Sequence, residues 1–243
     1  MLHTRPMLQR LATALALLGC IMTAIGPAMT AAAAWQEAEV EFEPEDEVVE
    51  IAAPPVLEPA WSVVGRGEST DDSVTAAGWL TAVNGLQAGE LAPTGGDSAD
   101  TGTATTSRFT FVADIGVTST VNRGSVTTTL GQGTLTVYLD ANPLPSPADL
   151  ESFRSNLVVA VYDAGFQGSV LADSGPAGQA VVSGRMTLTQ TEALSFELGD
   201  EVFRFGHADA ELELTLTGGV IPGQDDETTI ASYFGTARVT ARS

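Results

Sequence analysis

The sequence predicts an all-β domain, either an antiparallel β-sandwich or a closed β-barrel of about 8–10 strands with one short helix. Three observations predict it. Apolar residues recur with period two far more often than at helical spacing, Thr and Val fill runs between Gly, Pro, Asn and Asp punctuation, and a single segment carries helix-start chemistry. Sandwich and barrel share this pattern, so the sequence leaves the two open.

The N-terminus precedes that domain. Arg5 and Arg10 form a positive region, Leu11 to Ile25 an uncharged apolar run, and Gly26-Pro27 a break before the small residues Ala28 to Ala34. Residues 1–34 therefore read as a cleavable secretion signal, and the protein as secreted or extracellular. A membrane-anchoring helix would need about 20 apolar residues, and the run stops short of that, so no integral span is expected after cleavage. The alternative is a lipoprotein: Leu17-Leu18-Gly19-Cys20 resembles a lipidation signal, with Cys20 as the lipid anchor, although a second Leu and an apolar continuation depart from that pattern.

Residues 35–60 crowd Glu37, Glu39, Glu41, Glu43, Glu45, Asp46, Glu47, Glu50 and Glu58 among Pro44, Pro54, Pro55 and Pro59. They read as an acidic, self-repelling, disordered linker, with the single all-β domain at 61–243. The alternation Glu39-Val40-Glu41-Phe42-Glu43 is the competing signal, for an edge strand or a partner-binding motif.

Within the domain, Phe109, Phe111, Ala113, Ile115 and Val117 share one strand face, and Leu135, Val137 and Leu139 another. Asn122-Arg123-Gly124 and Leu198-Gly199-Asp200-Glu201 are hairpin signals. Leu157 to Tyr162 is apolar on both faces, as in a strand covered on both sides. Strands are also expected at 181–189, 194–198, 202–205, 208–217 and 230–240. The short helix is expected from Ser146-Pro147-Ala148-Asp149 to about Arg154, with Ser146 as its cap.

Composition narrows the chemistry. The chain has 31 acidic residues against 10 basic ones, for a formal charge of −21, and Arg is its only strong cation. Such a surface repels nucleic acid and anionic lipid. Loss of the signal removes the only Cys and leaves His207 as the one His, which excludes disulfides, thiolate catalysis and multi-histidine metal centres. No Gly-x-Ser-x-Gly elbow or phosphate-loop motif is present.

The candidate sites are few. His207, Asp209, Glu211 and Glu213 alternate with apolar residues, so a strand over 207–214 would align them on one face as a divalent-cation site, calcium being the candidate cofactor although none is required. The bland reading of that row is the solvent face of a strand. Asp97 with Asp100, and Asp225-Asp226-Glu227, are weaker calcium candidates in loops. Trp61 and Trp79 are candidate ligand-stacking residues if exposed and core residues if buried.

The expectation is a secreted or envelope-associated non-catalytic β domain with a structural or binding role toward an unknown extracellular macromolecule or small ligand. One alternative is a barrel holding a small apolar ligand. The other is a carboxylate- or cation-dependent extracellular enzyme.

Overall fold

The computed structural model describes residues 48–91, 107–139, 145–172, 180–221 and 228–241. The expected signal at 1–34, including Cys20, lies outside them, as do Asp97, Asp100 and the 225–227 cluster. Of the two architectures, the chain adopts the closed barrel.

Eight antiparallel strands form it: β2 (Pro59–Ser69), β3 (Ser73–Val83), β4 (Phe109–Arg123), β5 (Val126–Leu139), β6 (Leu157–Ala172), β7 (Ala180–Ala193), β10 (Glu211–Ile221) and β11 (Thr229–Ala241). The chain meanders from β2 to β7, β10 adds to β7, and β11 pairs with β2 to close the ring. Closure leaves most strands paired on both sides, so little of the sheet is an exposed edge.

The remaining strands make a three-stranded sheet in the order β1 (Val49–Ile51), β9 (Glu201–Phe205), β8 (Ser195–Leu198). β1 pairs parallel with β9, while β8 and β9 form the expected hairpin over Leu198–Glu201, with Gly199 at positive φ in its turn. The expected linker therefore ends earlier than 60. Val49–Ile51 are strand, and Pro59 takes the first position of β2, where its missing N–H costs little.

Period two dictates what faces inward. On β10, Leu212, Leu214 and Leu216 are buried while Glu211, Thr215 and Thr217 are exposed; on β7, Met186 and Leu188 are buried between exposed Arg185, Thr187 and Thr189. A lipid-spanning barrel has the reverse order, apolar outward. Here the apolar side chains fill the interior. None of the helices among the described residues is long and apolar enough to cross a membrane.

The β1-β9-β8 sheet seals the end where β2 starts and β4 begins. Phe109 meets Phe196 edge-on at 5.8 Å and Phe205 at 5.9 Å, and Ile51 is fully buried in the same cluster. Trp61 and Tyr162, with ring centroids 6.4 Å apart, continue this plug up the barrel.

One buried polar side chain locks the seal to the wall. Gln190 on β7, 1 % exposed, donates from Nε2 to the Phe205 carbonyl at 2.6 Å and the Glu192 carbonyl at 3.1 Å, while its Oε1 accepts from the His207 amide at 3.1 Å. Gly206 makes room for it, because a Cβ there would stand 2.2 Å from Gln190 Oε1, and φ is +71°. Replacing Gln190 with Ala leaves the Phe205 carbonyl and the His207 N–H unpaired. The expected cost is about 2–3 kcal/mol, read as a fall in Tm of roughly 5–10 °C; an unchanged Tm would show that the lock contributes nothing.

The short helix is a 3-10 turn, Leu150–Phe153 (η1), later and tighter than expected. Asp149, not Ser146, caps it, accepting from the Glu151 amide at 3.2 Å. Ser146 is occupied with the preceding turn, accepting from the Ala148 amide. Arg154 pins this segment to the barrel wall with hydrogen bonds of 2.9 and 2.8 Å to Asp114 and one of 2.8 Å to Glu151. Those carboxylates hold the guanidinium charged against the opposing effect of burial. Under η1 lies a second, smaller core outside the barrel, in which Trp79 packs edge-on against Phe153 at 4.7 Å and Val158 of β6 is half-buried. That outer core is why Leu157 to Tyr162 is apolar on both faces. A second short helix, α1 (Ala88–Leu91), has no counterpart in the sequence reading.

Candidate functional site

The acidic row does not form on one strand. β10 begins only at Glu211, and residues 207–210 make a turn in which the Ala210 amide donates to the His207 carbonyl at 3.1 Å. Asp209 sits at φ +64°, a left-handed conformation that Asp tolerates because its short side chain bonds locally. Of the four residues, only Glu211 and Glu213 consequently remain together on the outer face of β10. His207 Nε2 lies 3.4 Å from Glu50 of β1, Asp209 is exposed on the turn, Glu211 points outward at the start of β10, and Glu213 pairs with Arg185 of β7. Among the described residues, no three His, Cys, Asp or Glu side chains converge to hold a metal ion.

Trp61 and Trp79 are both interior. Trp61 is 1 % and Trp79 6 % exposed, and neither indole N–H has a hydrogen-bond partner. They fill the two cores and offer no face for stacking a ligand.

The sequence reading allowed a barrel with an apolar ligand but named none of the residues at the barrel's open end. Opposite the sealed end, a cavity of about 90 Å³ opens between the upper parts of β2, β3, β5, β6, β7, β10 and β11, with an almost wholly apolar lining. Phe166, Met186, Leu216 and Tyr233 form its floor and walls. The Tyr233 hydroxyl is turned away from solvent, donating toward the Arg66 carbonyl at 3.2 Å and the Ala77 carbonyl at 3.4 Å, so the ring presents its apolar body to the barrel. Burial pushes this phenol well above its ordinary pKa, which keeps it neutral.

Gly184 lines this space without a side chain. A Cβ built there would make ordinary contacts of 3.5 Å with Leu216 and Phe166, so a side chain added at this position enters the wall of the cavity without a backbone clash. Glycine inside a strand is a signal of this kind of vacancy or close approach, and Gly67, Gly168 and Gly184 all line the opening. In sequence they read only as irregularities.

A wider polar cleft of about 390 Å³ lies between η1 and the β2–β3 turn. Its carboxylates are already engaged: Glu68 with Arg66, Glu151 with Arg154, and Asp149 with the helix start. What distinguishes this end, among the described residues, is an apolar cavity at the pole opposite the aromatic plug. No family model, curated protein or solved structure matches the chain.

Proposed function

We propose that this is a non-catalytic binding module whose open barrel end receives a small apolar group. The observation that carries the reading is the asymmetry of the two poles. One is plugged by Phe109, Phe196 and Phe205, and the other keeps an apolar cavity between Phe166, Leu216 and Tyr233. The departure of His207 and Asp209 from the strand that carries Glu211 and Glu213 supports binding over catalysis, because acid–base work needs such groups within reach of one reacting centre.

Size decides what kind of ligand fits. Drug-sized ligands occupy roughly 300–1,000 Å³, and a cavity of about 150 Å³ is known to hold benzene, so about 90 Å³ accepts a branched aliphatic tip or less. Burying about 100 Å² of such a group at ~25 cal/mol/Å² yields about 2.5 kcal/mol, which is millimolar affinity or weaker. The cavity therefore serves as an anchor point for a larger molecule that makes further contacts at the rim. Export to the cell exterior, as the N-terminal sequence suggests, would place that partner outside the cytoplasm.

Titration with short branched alcohols, followed by NMR, tests this reading. Saturable shifts are expected at Phe166, Val182 and Leu216, and Gly184→Leu should abolish them without lowering Tm. Shifts scattered over the surface, or none, would remove the proposal's basis.

A further inference from the structure

β4 outruns its neighbour. β3 pairs with it only as far as Gly116, opposite Ser73, and the Val117 amide then donates to the Asp72 carbonyl at 2.8 Å. From Ser119 to Arg123, β4 is paired on its β5 side alone among the described residues, and Thr118 is the extra residue where that ladder shifts register.

The two-residue turn Gly124-Ser125 makes Arg123 and Val126 a mutually hydrogen-bonded pair. Pairs alternate along an antiparallel ladder, so Ser119, Val121 and Arg123 bond toward β5. The N–H and C=O groups of Thr120 and Asn122 face the open edge.

Charge singles out this edge. In a chain with 31 acids, no Asp or Glu occurs from Ile115 to Leu139. A second copy, repelled by a formal charge of −21 over the rest of the surface, meets no such barrier here. The stretch Thr118–Arg123 also lacks the Pro, Lys and acid that protect natural edges. On the outer face Val121 and Leu130 are exposed beside Ser119 and Arg123, and β6 and β7 add the exposed Leu171 and Val181.

We propose that the free edge of β4 is an interface through which two copies of this chain pair, antiparallel about a two-fold axis at Val121. That register sets Thr120 of each copy against Asn122 of the other, joining edge groups that face no neighbour among the described residues. It also sets Arg123 of one copy across from Ser119 of the other, toward that copy's Asp71 and Asp72, which are exposed. Charge complementarity thus arises twice by symmetry. The two Arg123 side chains stand about 14 Å apart along the strands at ~3.4 Å per residue, beyond a Debye length of about 8 Å, so they do not oppose each other.

Sedimentation equilibrium of the purified protein tests the pairing. A concentration-dependent dimer is expected. Thr120→Pro, which removes an edge donor and leaves the β4–β5 ladder intact, should make it monomeric with an unchanged far-ultraviolet CD spectrum. Should that variant lose structure, Arg123→Glu answers the same question: it should weaken association about tenfold, and adding Asp72→Arg should restore it. A wild-type protein that stays monomeric, a dimer that survives a folded Thr120→Pro variant, or a charge swap that restores nothing would overturn the proposal. So would a monomer whose edge takes up an added acidic peptide instead.

Discussion

Trp61→Ala is expected to lower stability by about 3–5 kcal/mol, a fall in Tm on the order of 10 °C for a domain of this size. The ring is enclosed in the barrel, 1 % exposed, against Tyr162 and the aromatic plug. Removing it leaves a large void that a closed barrel, whose strands are fixed on both sides, cannot collapse to fill. Trp61→Phe should cost markedly less. It retains one ring and eliminates an indole N–H that has no partner, and a buried unsatisfied donor is itself unfavourable. Thermal unfolding of both variants by CD checks the pair. A shift under about 2 °C for Trp61→Ala would mean the ring is not part of the core.

That experiment also bears on what the sequence made legible. Trp61 and Trp79 carried two readings, and only burial distinguishes them. Period two along Phe109, Phe111, Ala113 and Ile115 was readable because a strand face is a local pattern. So was the Leu198–Glu201 hairpin, whose Gly and Asp mark a tight turn.

Closure was not local. β2 pairs with β11 across some 170 residues of chain, as in Ser62 with Thr236, and β1 pairs with β9 across a comparable distance. No pattern within either strand announces its partner, which is why sandwich and barrel stayed equivalent. The acidic row failed for a different reason. Alternation from His207 to Leu214 imitates a strand, but Gly206 and Asp209 are turn formers, and their left-handed backbone interrupts it. Weighing Gly206 and Asp209 as punctuation would have begun the strand at Glu211. The cavity was not legible as a site, since its lining is assembled from seven strands whose pairing no local pattern announces.

Raising the pH above about 10 is expected to destabilise the fold steeply, through Tyr162 and Tyr233. Burial raises both phenols above the ordinary tyrosine value of about 10; at Tyr162 the nearby Trp61 indole pulls weakly the other way without meeting hydrogen-bond geometry. As pH climbs past 10, the unfolded chain releases these two protons while the folded protein retains them. The unfolded state then binds fewer protons, so stability must fall, by about 1.4 kcal/mol per pH unit for each group and about 2.8 for both. Below pH 10 both states hold the protons and the contribution is fully present. The chain offers an unusually clean window for this measurement, because it contains no Lys to titrate alongside. Chemical denaturation between pH 9 and 12 should show the slope, with phenolate absorbance from these residues arriving together with unfolding. Tyr162→Phe should halve the slope. Tyr233→Phe should halve it too, at the further cost of the hydroxyl's bonds to the Arg66 and Ala77 carbonyls. A flat stability profile, or phenolate appearing at pH 10 from Tyr162 and Tyr233 in a still-folded protein, would mean that neither ring is sealed from water.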